Sequence, residues 1–434
     1  ETSNTAYPQD NPRSGVESRD FERTSIAGAL QFDPAADIAF SFDGFYSDFD
    51  DTGIFRGVET PLASSWTGAE LVSTTGTGDF VDSASYRNNA VALRTDTQGN
   101  EAEIYALGAN VEFGIGERTR MMFDGGYSKV TSTGIDYESY ALAGANILGS
   151  NSGDATLRDS LTFTTPDSGE YSISADRDYT DASGLFLTDP GGWGQVGFIR
   201  NNDVEDELSQ IRAEISHDLD IPFIDGLVAG ALVTTREKST SDLPAALRQG
   251  NGFANDVASI SNVIGSTDSG SIGLDIVAYD PSELINNGTY VRDTFAPTKV
   301  DIQENVLTLY GMAELGGDGS RVKGNLGLQY VKTDQESTGQ FGTFGPRQGT
   351  TETLGDSYEH WLPTLNLAYD ATDKLVVRLG AGKAISRPQI NDLSANLNIG
   401  ANINVCPDPD GDGLPNTVIG SAVNESNSCL NFSG

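Results

Sequence analysis

The sequence is poor in basic side chains, in histidine and in cysteine, and it has no long apolar run. Of its 434 residues, 26 are Lys or Arg against 63 Asp or Glu, which gives a formal net charge of −37. Such a polyanion does not coat DNA or RNA, because nucleic-acid binders use Lys and Arg to displace counterions from phosphates. No nucleic-acid partner is therefore expected. Two His and two Cys cannot supply a four-ligand zinc site together with a catalytic base elsewhere. No stretch reaches the roughly 18 apolar residues that a membrane helix needs, so neither a transmembrane helix nor a signal peptide is expected within these residues. There is no Gly-x-Ser-x-Gly nucleophile elbow and no P-loop, while His217 and His360 stand isolated. The expectation is that the chain is not an enzyme. Apolar residues at 37% and aromatics at 9% are too many for a wholly disordered chain.

What is present is alternation with period two, the signature of strands with one apolar face. Tyr105, Leu107, Ala109, Val111 and Phe113 alternate with small or polar residues. After a turn at 114–118, Met121, Phe123, Gly125 and Tyr127 continue the pattern. Four further hairpins follow the same plan. One opens the chain (Ile26, Gly28, Leu30 and Phe32, then Ile38, Phe40 and Phe42). The next has Ile211, Ala213 and Ile215 before a turn at 220–225, then Leu227 to Val233. The others are Leu307 to Ala313 with Val322 to Tyr330, and Pro363 to Tyr369 with Leu375 to Ala381. Five hairpins make about ten strands. Their turns are short, but the links between them are long and polar, as from about Asp50 to Asn100, Thr131 to Asp203 and Lys238 to Lys299.

Short turns on one side and long loops on the other are the pattern of an outer-membrane barrel, with a lipid-facing apolar side and a polar lumen side. Hydrocarbon leaves no partner for a free backbone group, so strands survive there only in a closed sheet. The fold class expected is all-β, an antiparallel transmembrane β-barrel with long extracellular loops. A soluble half-buried sheet is the alternative. Tyr127, Tyr330, Tyr369, Phe32 and Phe113 are expected to sit near the short turns as an aromatic girdle. Trp361 is expected to join it from a strand end. Arg120, Asp124, Arg212, Glu214, Lys323 and Arg378 fall on the lumen face.

The segment His360-Trp361-Leu362-Pro363-Thr364-Leu365-Asn366-Leu367, the strand from Leu375 to Leu379 and the Ile385-Ser386-Arg387-Pro388 that follows it resemble the barrel of TonB-dependent outer-membrane receptors. The likeness is closest to the subfamily common in Xanthomonas-, Caulobacter- and Alteromonas-like bacteria. Leu326 to Thr333 and Phe42 to Ser47 resemble other strands of that family. The resemblance implies a 22-strand barrel, a plug inside it and a TonB-contacting box near the N-terminus. Residues 1–434 then read as about ten strands of such a barrel, without plug or C-terminal strands. The function implied is active uptake of a scarce solute, favouring an oligosaccharide, across the Gram-negative outer membrane. A ferric siderophore receptor, or a passive porin or surface barrel without TonB coupling, is the alternative. The partners implied are the TonB–ExbB–ExbD complex, outer-membrane lipid and a small solute.

Some residues stand out besides. Trp66, Trp193, Tyr140, Tyr279 and Tyr290, read as loop aromatics, are candidates to stack on a solute, since aromatics give large contact area at small entropic cost. Cys406 and Cys429 enclose 407–428. In an oxidising compartment they suggest a disulfide, which would contribute roughly 3 kcal/mol. Within that loop Asp408, Asp410 and Asp412, with Asn416, alternate as hard-cation ligands do. They suggest a surface Ca²⁺ site, or else an ordinary acidic turn. No cofactor is otherwise required.

Overall fold

The computed structural model describes residues 13–60, 62, 69–77, 81–143, 158–165, 171–188, 195–249, 258–260, 262–268, 272–295, 297–317, 319–341, 350–396, 398–401 and 430–433. Ten antiparallel strands form one continuous wall. They are β1 (Arg13–Ala35), β2 (Ile38–Glu59), β3 (Ala92–Ile115), β4 (Thr119–Ala143), β5 (Gly197–Ile221), β6 (Phe223–Gln249), β7 (Thr298–Gly316), β8 (Val322–Phe341), β9 (Thr350–Thr372) and β10 (Leu375–Gly382). Each pairs with its neighbour in sequence, so the order along the wall is the order of the chain. Among the described residues the sheet is open, ending at β1 and β10. The five hairpins read from the alternation are those of the structure.

The turn between β3 and β4 is tight because it uses a residue that tolerates the geometry. Gly116 sits between β3 and β4 at φ +67°, with open space around it, a conformation that costs glycine little. Register shifts in the wall ladders fall beside these short turns, between Phe32 and Ala35, Asp218 and Ile221, Ile224 and Gly226, and Asp370 and Thr372. The pleat is therefore uninterrupted above them, and face assignments carry from one strand to the next.

The strands are longer than the alternation predicts. β2 continues to Glu59, β4 to Ala143 and β6 to Gln249. Much of what reads as polar link is thus ladder. Crossing hydrocarbon takes about 9–11 residues of tilted strand, and nine of the ten strands have 19 or more. Above the membrane neither face needs to be apolar. Asp48 and Asp50 lie opposite Glu103 and Glu101, so the pairing persists while the hydrophobic signal fades. Tyr140 is accordingly on strand β4, not in a loop, and Trp361 is well inside β9, not at its end.

The links also hold structure of their own. Glu70–Thr75, Ser83–Asn89, Asp159–Thr164 and Ser172–Ala175 form a small four-stranded antiparallel sheet. Ile276–Tyr279 leads into a single helical turn, α1 (Ser282–Asn286), and then to Tyr290–Thr294, which pairs with the end of β6. These pieces close over the long-loop end of the wall. The core there contains Val58, Leu93, Tyr137 and Ile199 from the wall and Leu161, Ile173, Tyr179, Val277 and Leu284 from the links.

Candidate functional site: the two faces of the wall

Continuous register separates the residues of each strand into two sets. One set carries, from the short turns upward, Phe113, Val111, Ala109 and Leu107 of β3 beside Met121, Phe123, Gly125 and Tyr127 of β4. Ile215, Ala213 and Ile211 of β5 and Ala229, Ala231 and Val233 of β6 extend it. So do Leu326 and Leu328 of β8 and Leu367, Leu365 and Pro363 of β9. Large apolar side chains stand exposed along this face, among them Ile26 at 69%, Ile211 at 68% and Leu107 at 61%. An apolar surface of this extent marks contact with something other than water, and its height of four or five alternate residues suits a bilayer core.

The aromatic residues divide between its two borders. Phe32, Phe113 and Tyr369 lie beside the short turns, where Phe113 stacks on Phe123 at 6.1 Å between ring centroids. Tyr127 and Tyr330 do not, contrary to the sequence expectation. Each is on the eighth residue or so past its turn, at the upper border of the band. Residues at both borders point to the same face, so a period-two reading cannot tell one border from the other. At the upper border the hydroxyls reach toward acids one tier higher: Tyr46 donates to Glu103 at 3.2 Å, Tyr127 to Glu207 at 3.1 Å and Tyr330 to Glu359 at 2.6 Å. Trp361 packs on Tyr330 with ring centroids 4.9 Å apart. Rings with an apolar body and a polar tip suit that border. Above it runs a charged tier, where Lys129 bridges Glu205 and Glu207.

The opposite face carries paired charge. Arg19 grips Asp51 through two nitrogens, at 2.6 and 2.8 Å. Arg212 Nε donates to the Tyr310 hydroxyl at 2.9 Å, and that hydroxyl donates to Glu214 at 2.6 Å. Gly230 leaves the notch that the Tyr310 ring fills, since a Cβ there would lie 2.4 Å from the ring. Arg236 holds both oxygens of Asp206, at 2.9 and 2.6 Å. The six charges assigned to the lumen from sequence fall on this face by register, Asp124 lying opposite Arg212.

Near the long-loop end the same face holds a cluster the sequence reading missed. Arg94 lies among Glu59, Asp96 and Glu138 and stacks over the Tyr140 ring at 4.7 Å, while Arg13 also reaches Asp96. The side chains of Arg94 and Asp96 are 8% and 5% exposed. The available signal was parity: counted upward from the lumen-facing residues Asn110 and Ala106, positions 96 and 94 belong to the inner face.

Beyond β10 the chain turns back along the inner face. Ile385 packs on Val306, Val331 and Leu362. Arg387 reaches Glu304, the Ala395 N–H donates to Ser337 at 3.0 Å, and the Gln340 N–H donates to Asn396 at 2.8 Å. The residues from Lys383 to Asn396 thus lie as a strap across β7, β8 and β9.

Of the aromatics proposed to stack on a solute, Tyr279 and Tyr290 come together and Tyr140 stands near them, but all three are buried. Tyr279 and Tyr290 meet at Ser139, at 3.0 and 3.1 Å. Burial pushes the Tyr279 phenol up to about 12 and the Tyr290 phenol well above its ordinary range. Tyr140 is covered by Arg94 and donates to Glu138. In this arrangement they hold the loop layer to the wall. Trp66 and Trp193 lie outside the described residues, as do Cys406, Cys429, Asp408, Asp410, Asp412 and Asn416. Among the described residues no group of three or more His, Cys, Asp or Glu is placed to hold a metal ion.

Residues 137–421 match a protein family described as TonB dependent receptor-like, beta-barrel. No curated protein matches the chain.

Proposed function

Because the chain belongs to the family of TonB-dependent receptor-like β-barrels, we propose that it takes part in active uptake of an oligosaccharide across the outer membrane. The observation that carries the uptake reading is the two-faced wall. One face is an apolar band bordered by aromatic rings, and the other is lined with paired charges and hydroxyls. The first suits lipid and the second suits a hydrated interior. The long-loop end faces outward from the cell and captures the solute. TonB, energised with ExbB–ExbD, supplies the work that releases it into the periplasm. The preference for an oligosaccharide rests on the likeness of Leu362 to Leu367 and Ser386 to Pro388 to one receptor subfamily.

The experiment is growth of a strain lacking the gene on a panel of glycans and iron chelates, with a TonB-deficient strain beside it. The reading expects both strains to fail on the same glycan. Normal growth on every glycan with failure on one ferric chelate would overturn the sugar preference. Failure independent of TonB would overturn active uptake.

A further inference from the structure

Between the strap and the wall lies a cleft of about 600 Å³, lined by Arg236, Lys238, Glu304, Ser386, Arg387 and Asn391, among others. Its charge balance runs against that of the chain. Arg236 is neutralised by Asp206 and Arg387 by Glu304. Lys238 is directly opposite Asp206 in the ladder, but the guanidinium of Arg236 occupies both carboxylate oxygens. Glu304 is likewise engaged, by Arg387 and by the Gln335 amide at 2.7 Å. No ion pair or hydrogen bond joins the Lys238 ammonium to another of the described residues. A chain with a net charge of −37 thus places an uncompensated cation in a cleft on its inner face, beside side chains that hydrogen-bond hydroxyls.

We propose that this cleft is a binding subsite for a carboxylated, hydroxyl-rich solute, an acidic sugar, with Lys238 as the anchoring cation. The inference rests on the uptake reading and names its substrate class. A cleft of this volume is of the size that ligand sites occupy. A bound carboxylate gains a charge-assisted bond to an ammonium with no competing partner. Ser386, Gln389 and Asn391 of the strap supply neutral donors and acceptors for sugar hydroxyls.

The test uses the intact receptor in whole cells, with labelled oligogalacturonate and a neutral galacto-oligosaccharide of equal length as probes. Oligogalacturonate uptake is expected, with half-saturation that rises with ionic strength. Lys238→Gln should raise the half-saturating concentration roughly tenfold or more, as loss of a bond to a charged group does. Lys238→Arg should recover most of it, and Lys332→Gln on the opposite face should leave it unchanged. Equal half-saturation for the two probes, no salt dependence, or a Lys238→Gln receptor present at normal level and unchanged for oligogalacturonate would overturn the proposal. TonB-dependent uptake of a neutral glycan or a ferric chelate alone would overturn it and leave the uptake reading standing. Absence of any TonB-dependent uptake would overturn both.

Discussion

The Ser139 hydroxyl lies 3.0 Å from the Tyr279 hydroxyl, joining a wall strand to a link that arrives 140 residues later. The same Ser139 oxygen is 3.1 Å from Tyr290, so one small side chain ties two pieces of the loop layer to β4. Ser139→Ala should leave two buried phenols without this partner, at a cost of about 1–3 kcal/mol. Faster amide exchange in Ile276–Tyr279 and Tyr290–Thr294, with the lower wall unchanged, is the expected reading. Uniform loosening of the whole sheet would contradict it.

The burial of Tyr279 makes the loop layer sensitive to alkali. The Tyr279 phenol is held up to about 12, chiefly by burial, against roughly 10 in an unfolded chain. Between those values the unfolded form has lost a proton that the folded form keeps. Stability is therefore fully present below about pH 10 and falls as pH rises toward 12. Tyr279→Phe should flatten that part of the profile, measured as melting temperature against pH.

Leu326 stands exposed on the apolar band, between Ala313 and Leu365. Its neighbour Asn325 faces the other way, where it accepts a hydrogen bond from the Asn366 amide at 3.0 Å. Leu326→Lys should cost about 2–4 kcal/mol in a bilayer, the range for a cation near the midplane of a barrel's lipid face. Asn325→Lys should cost much less. Refolding into vesicles across a denaturant series would separate the two, and equal costs would refute the face assignment.

Arg94 is surrounded by Glu59, Asp96 and Glu138. Arg94→Ala removes the cation and leaves a buried carboxylate at Asp96, with Arg13 as its remaining partner. The expected loss is about 3 kcal/mol, the low end for breaking a buried pair. Adding Asp96→Asn to Arg94→Ala should recover part of it. A double variant no better than the single one would show that the Asp96 charge is not the source.

The hairpins were legible in the sequence because lipid imposes a one-sided chemistry on each strand, and residues such as Leu107, Ala109 and Val111 record it. The upper halves of the strands were not, because Asp48, Glu101 and Glu103 meet water and carry no alternation. The aromatics show the same limit. Phe113 and Tyr127 share a face, but which border each occupies depends on its distance from the turn. The inner pairs Arg236–Asp206 and Arg387–Glu304 join distant segments, and spacing along the chain does not encode them. Tyr279 and Tyr290 could be picked out as special by residue type, but only the fold shows that their rings are covered.

The order of strands along the wall has a consequence for assembly. Every ladder in the wall joins neighbours in sequence, so each hairpin adds to the previous one across a single link, whose closure entropy rises only slowly with its length. The loop-side core is different, for it gathers residues as far apart as Val58 and Tyr290. Those contacts require β2 to β6 to be paired, so the loop layer fastens only after that part of the wall has formed.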